Sequence, residues 1–149
     1  MPKILVVEPE KCYGCELCVI YCSLHHFKTH QPSRARIFVY SGMSWNTPVI
    51  CTQCGLCLAA CPVNAMKRDF YGAIYVTNSC DGCGKCVMAC PYGVVYVDQI
   101  TNRAIKCDYC DGEPQCVEHC PYGALKYVEA SEAVELRRMQ TAMNTTRRK

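Results

Sequence analysis

Sixteen cysteines fall into four short runs with none left over, and this spacing constrains the chain more than any other feature. The first run is Cys12, Cys15, Cys18 and Cys22; the second is Cys51, Cys54, Cys57 and Cys61; the third is Cys80, Cys83, Cys86 and Cys90. Each reads CxxCxxCxxxC, and the second and third continue into proline. The fourth keeps Cys107 and Cys110, inserts extra residues before Cys116, then resumes the same step to Cys120 and Pro121. Such a fourfold repeat implies one supersecondary unit copied along the chain.

The spacing separates the possible metals. A cubane cluster needs four thiolates around a compact body, and CxxCxxC lets one tight loop offer three sulfurs and its backbone N–H groups. In the bacterial two-cluster pattern, the fourth cysteine of each run, the one before proline, ligates the other cluster. Four runs therefore imply two pairs of runs and four [4Fe–4S] clusters. Tetrahedral zinc sites use separated CxxC pairs, which would leave the third cysteine of every triplet without a purpose.

At 149 residues the chain suits one compact domain or two small fused units. Leu, Ile, Val and Phe make up about a fifth of it, close to the composition at which chains fail to bury a core. Metal binding is expected to supply the missing stability, because a site formed only on folding adds its binding free energy to folding. The metal-free chain should fold poorly. The apolar run Ile4 to Val7 is too short for a signal-peptide core and ends in acids, and no stretch approaches a membrane span. A cytoplasmic location follows as the expectation, with export beside a signal-bearing partner as the other route; in the cytoplasm disulfides are disfavoured.

The formal charge of +3 does not signal a nucleic-acid partner. Sixteen thiolates outweigh the positive charge of four cluster cores, so the loaded protein is acidic, and its Lys and Arg are dispersed except for the tail Arg147 to Lys149.

The fold class expected is α+β, with short β-hairpins and short helices around the clusters and a C-terminal helix. Strand candidates are Ile4 to Val7, Arg36 to Tyr40, Ala73 to Val76, Ala104 to Lys106, and the stretches Pro91 to Val97 and Pro121 to Val128, with Pro62 to Met66 a weaker copy. Apolar residues between the third and fourth cysteines suit a short helical turn. Ser23 to Ile50 reads as a long connection, with Trp45 as a candidate docking anchor. From Ser131, a plausible N-cap, Ala133, Leu136, Met139 and Met143 mark one apolar helical face, expected to pack on the protein itself. The domain reading is 1–130 for the cluster-binding part and 131–149 for the helix and tail.

Over most of its length the chain resembles the four-cluster, ferredoxin-like electron-transfer subunits of molybdenum or tungsten pterin oxidoreductases, with relatives in hydrogenase and carbon monoxide dehydrogenase systems. The resemblance implies two interlocked bacterial-ferredoxin-like units, one from runs 12–22 and 107–120, the other from runs 51–61 and 80–90. It implies nested ligation: Cys12, Cys15, Cys18 and Cys120 for cluster one; Cys107, Cys110, Cys116 and Cys22 for cluster two; Cys51, Cys54, Cys57 and Cys90 for cluster three; Cys80, Cys83, Cys86 and Cys61 for cluster four. The opening KILVVEPEKCYGCELC, the histidines after Cys22, RARI at Arg34 to Ile37 and AIKCDYC before the fourth run look like the small subunits of tungsten aldehyde oxidoreductases.

That likeness implies a catalytic tungsten or molybdenum partner, a further electron donor or acceptor, and a hetero-oligomer in which several copies could stack. The rival readings are an electron-transfer subunit of a hydrogenase or carbon monoxide dehydrogenase, and a free polyferredoxin. No catalytic constellation is seen, so the chain is expected to be non-catalytic. Of the remaining residues, His25, His26 and His30 are expected to pack or lie exposed. Tyr13, Tyr92, Tyr96, Tyr109, Tyr122 and Tyr127 are expected to shield clusters, and Gly14, Gly55, Gly82 and Gly84 to permit close backbone approach.

Overall fold

The computed structural model describes residues 2–147. In chain order the elements are β1 (Lys3–Val7), α1 (Leu17–Phe27), β2 (Phe38–Ser41), β3 (Asn46–Val49), α2 (Leu56–Ala60), β4 (Met66–Arg68), β5 (Ile74–Val76), α3 (Lys85–Ala89), β6 (Tyr96–Val97), β7 (Ala104–Ile105), α4 (Gln115–Glu118), β8 (Leu125–Glu129) and α5 (Ala130–Arg147). Three-residue 3-10 turns at Pro9–Lys11 and Pro32–Arg34, and a four-residue one at Tyr109–Gly112, complete the description.

The strands form four separate two-stranded antiparallel ladders, β1 with β8, β2 with β3, β4 with β5 and β6 with β7. The first ladder joins the two ends of the cysteine-bearing region, in a register running from Lys3 opposite Glu129 to Val7 opposite Leu125. Pairs of strands this short are marginal alone, so their stability must come from what they pack against. The helices supply part of it: α1 lies on α4, and α2 on α3. Two apolar cores result. One gathers Leu5, Val19, Ala35, Ile37, Tyr109 and Leu125; the other gathers Met66, Ile74, Val95 and Ala104. Cysteines are members of both, Cys18, Cys22 and Cys116 in the first and Cys57 and Cys86 in the second, so each core reaches into the cysteine loops.

Four expectations change. Helix α1 does not stop at Cys22 but runs on to Phe27, so the start of the long connection is helical and carries His25 and His26. The rest of that connection contains a second strand, β3, that the sequence hides, because Pro48 lies within it, opposite Val39; a two-stranded ladder leaves an edge on which proline is tolerated. Ser131 is not an N-cap, since β8 passes into α5 directly at Ala130. The apolar face of α5 is also shorter than its sequence implies. Ala133 is fully buried and Gln140 donates to the Val7 carbonyl at 2.7 Å, whereas Met139 and Met143 are exposed.

Candidate metal centre

Each cysteine loop is curled by the same backbone device. Residues on both sides of the second cysteine take left-handed conformations: Gly14 and Glu16 in the first run, Gln53 and Gly55 in the second, Gly82 and Gly84 in the third. In the fourth run the left-handed residues are Tyr109, Cys110 and Asp111. Turns of this kind gather successive N–H groups into a concavity that favours an anion. At Gly14 (φ 73°) the lack of a side chain is also steric, since a Cβ would lie 2.6 Å from Asn46 Oδ1.

The fourth cysteine is held by a second repeated device. In Cys61-Pro62, Cys90-Pro91 and Cys120-Pro121, the N–H three residues on, from Asn64, Gly93 and Gly123, returns to the cysteine carbonyl at 3.3–3.4 Å, closing a turn with proline at its second position.

These two devices bring cysteines of different runs together. Cys12, Cys15, Cys18 and Cys120 line one cavity, with Tyr13 and Tyr122 beside them. Cys22, Cys107, Cys110 and Cys116 line a second, with His26 and Arg36. Cys61, Cys80, Cys83 and Cys86 line a third. Burial above all, with the nearby charges of Cys90 and Cys54, raises the Cys51 thiol, and burial with the charges of Cys51 and Cys54 raises Cys57.

The donor set fits a cationic core bound by thiolates. Burial pushes the Cys18 and Cys107 thiols up to about 12 and Cys110 to about 11, and the neighbouring cysteines add repulsion. Four such thiols ionise together only if a cation shares the site. Backbone N–H groups already point at sulfur, from Arg36 to Cys22 at 3.2 Å, Ala65 to Cys61 at 3.2 Å and Ala104 to Cys80 at 3.4 Å. Cys15, Cys54 and Cys83 are exposed, so three of the loops reach the surface, while their counterpart Cys110 is buried.

Several participants escape a reading of spacing alone. His26, a packing residue by expectation, places Nε2 at 3.7 Å from Cys110 Sγ and 3.5 Å from Asp108. Burial, then the Arg36 charge, lowers it to about 4, so it is neutral at pH 7. Asp108 is held below the usual carboxylate range, against the effect of burial, by the Arg36 guanidinium. RARI forms a clasp: Arg34 pairs with Asp98, Arg36 with Asp108, and Ala35 and Ile37 are buried between them. Lys106 and Gln53 form a buried pair, Nζ to Oε1 at 2.8 Å. A lysine immediately before a ligand-type cysteine was the available signal. The tyrosines divide: Tyr109 is buried, whereas Tyr13 and Tyr122, with ring centroids 4.6 Å apart, are exposed at the first cavity and screen it only in part. Trp45 is exposed, its carbonyl accepting from the Gly42 N–H at the tip of the β2–β3 hairpin.

Residues 43–130 match a family described as a 4Fe-4S dicluster domain, and residues 11–66 match a second family of the same description. Among curated proteins, the chain is 40% identical over 79 residues to the polyferredoxin-like subunit of an aliphatic sulfonate oxidoreductase from Pyrococcus furiosus, covering 50% of this chain and 44% of that one. It is 34% identical over 113 residues to a tetrathionate reductase subunit from Archaeoglobus fulgidus, covering 70% and 53%. It is 33% identical over 78 residues to the electron transport protein HydN of Escherichia coli, covering 46% and 45%. The chain thus spans about half the length of these relatives. In fold it is similar to a chain of the active site complex BamBC of benzoyl coenzyme A reductase, with a TM-score of 0.50, 20% identity, and coverage of 93% of this chain and 87% of that one. A second structure of that complex, with 1,5-dienoyl-CoA, gives a TM-score of 0.51 at 23% identity, covering 85% and 75%.

Proposed function

This chain belongs to the 4Fe-4S dicluster domain family, and on that premise we propose that it is a non-catalytic electron-transfer subunit carrying four [4Fe–4S] clusters within an oxidoreductase complex, a reading supported by the relatives named as oxidoreductase subunits. The observation that carries the proposal is the crossing of runs: in three cavities, three cysteines of one run meet the fourth cysteine of another. The ligand sets are Cys12, Cys15, Cys18 and Cys120; Cys107, Cys110, Cys116 and Cys22; Cys51, Cys54, Cys57 and Cys90; and Cys80, Cys83, Cys86 and Cys61. Two interlocked ferredoxin-like units are the matching architecture, the outer one built from the first and last runs and the inner one from the middle two.

A [4Fe–4S] cluster held by each cysteine set would supply one-electron transfer. The protein contributes the rest: thiolates that fix each site, N–H groups that stabilise negative charge on sulfur, and apolar walls that limit water, all of which set reduction potential. The exposed Cys15, Cys54 and Cys83 loops provide places where electrons enter and leave.

The partner proposed is a catalytic tungsten or molybdenum pterin subunit, with copies of this chain able to stack towards a second redox protein in the cytoplasm. Support comes from the motifs that resemble tungsten aldehyde oxidoreductase subunits and from relatives named as subunits of oxidoreductases. A hydrogenase-type partner is the second reading, favoured by the likeness to a hydrogenase-4 component of Escherichia coli, at 33% identity over 70 residues. Anaerobic purification through a mild tag on the native chain, with metals counted per copy, tests both. About sixteen irons with tungsten or molybdenum supports the first reading, nickel the second, and sixteen irons with no partner a free polyferredoxin. Zinc without iron would end the proposal. Serine substitutions test the ligand sets, since Cys120→Ser must alter the same electron paramagnetic resonance signal as Cys12→Ser.

A further inference from the structure

Lys106 is among the most buried side chains of the protein, 2% exposed, although it is a lysine. Its Nζ donates to Gln53 Oε1 at 2.8 Å and to the carbonyls of Ile74 and Cys107. Three acceptors around one nitrogen match the three N–H bonds of an ammonium. All its partners are neutral, and none of the ion pairs among the described residues includes it. A buried cation without a counter-charge is strongly disfavoured, so an anionic centre must lie close by.

The surroundings identify two such centres. Gln53 sits in the loop between Cys51 and Cys54, and its amide donates to the Cys107 carbonyl at 2.9 Å while its oxygen also accepts from the Ile74 N–H at 3.0 Å. Lys106 and Gln53 therefore join the loop of the second run to the loop of the fourth. The Lys106 charge is felt by Cys51 and Cys57 on one side and by Cys107 on the other, lowering all three thiols against burial.

We propose that Lys106 is a fixed positive charge shared by the cluster of the Cys51 loop and the cluster of the Cys107 loop, and that it holds both at higher potential than they would otherwise have. This rests on the four-cluster reading. Reduction adds one electron to a cluster, taken from a donor that is oxidised by one, and makes the site more negative; a neighbouring ammonium favours that state, and in a poorly screened interior the effect is large. The hydrogen bonds of Lys106 link the loop of the second run to that of the fourth.

The test is an anaerobic redox titration with dithionite, followed by electron paramagnetic resonance, on the iron-loaded chain. In Lys106→Met, two of the four signals should move to lower potential, with at least a tenfold change in each reduction equilibrium, about 59 mV for one electron. The other two should hold. Gln53→Glu, which keeps the lysine and neutralises it, should move the same two signals in the same direction, and Lys106→Arg should leave all four in place. Four unmoved signals, a common shift of all four, or a shift to higher potential overturns the proposal. Loss of iron from both Lys106→Met and Gln53→Glu also overturns it, leaving Lys106 a role in assembly alone. Fewer than sixteen irons in the unaltered protein is a different failure and removes the four-cluster reading itself.

Discussion

Arg34 grips Asp98 with both arms of its guanidinium, Nε at 2.9 Å from one carboxylate oxygen and Nη2 at 2.7 Å from the other. The pair is 64 residues apart in sequence and ties the connection after the first run to the segment after the third. The same guanidinium lies 3.8 Å over the Phe27 ring at the end of α1. Asp98 is 4% exposed and is further bonded by the Thr101 N–H and hydroxyl. A two-pronged, largely buried pair contributes where isolated surface pairs do not. Arg34→Ala should therefore destabilise the loaded protein by about 2 kcal/mol, read by anaerobic denaturant unfolding. Arg34→Lys should recover only part of that, because an ammonium cannot reproduce the fork. An unchanged midpoint in Arg34→Ala would remove the clasp as a stabilising element.

His26 gives a prediction that separates a hydrogen bond from a charge. Neutral at pH 7, it can donate to the Cys110 sulfur without adding positive charge. Hydrogen bonds to cluster sulfur raise potential. His26→Leu should lower the potential of one cluster signal and leave three unmoved. Between pH 6 and pH 8 the shift should stay constant, since a group with a value near 4 does not titrate there. A shift that changes across that window would show that the histidine acts through its charge.

Two glycines in one loop should respond differently to the same substitution. Gly84 is left-handed, φ 75°, but open, with nothing within 4 Å of an added Cβ. Gly82, at φ 73°, would bring a Cβ to 2.3 Å from the Asn102 carbonyl oxygen, which is backbone and cannot turn aside. Gly84→Ala should cost about 1 kcal/mol from the left-handed conformation alone and retain full iron. Gly82→Ala should bind less iron, with the loss confined to the cluster of the third run. Equal iron in both variants would contradict the steric reading.

Removing the metal should make the chain sensitive to alkali. Burial pushes Cys18 and Cys107 up to about 12, above the ordinary value of 9.0, so the metal-free fold keeps protons that the unfolded chain gives up. Whatever structure the poorly folded metal-free chain keeps is therefore favoured below pH 9 and lost as pH rises towards 12. In the loaded protein the thiolates are held by iron and carry no proton to lose. Circular dichroism against pH, on anaerobic chelated and loaded samples, should show only the chelated sample opening across that range. Coincident transitions would mean that the buried thiols do not control stability.

The cysteine chemistry was legible in the sequence because it is local. Spacing within a run fixes how far apart three sulfurs can lie, and the left-handed positions flanking Cys15, Cys54 and Cys83 fall inside those runs, at Gly55, Gly82 and Gly84 among others. Most strands were legible for the same reason, as short apolar stretches between turns. The strand around Pro48 was not, because proline counts against a strand until one knows that its ladder has a free edge. Nor was the true face of α5, where Met139 and Met143 have the right period yet remain exposed: periodicity reports a stripe, not whether anything covers it.

Residue order alone specifies the kind of site, four repeated thiolate loops suited to iron–sulfur clusters. Which distant groups surround those loops is set by the folded chain: Arg34 on Asp98, His26 beside Cys110, and Lys106 between the loops of the second and fourth runs. The division is physical. Ligand spacing depends on covalent geometry over a few residues, whereas a buried charge finds its place through contacts between segments far apart in the chain, which no local pattern records.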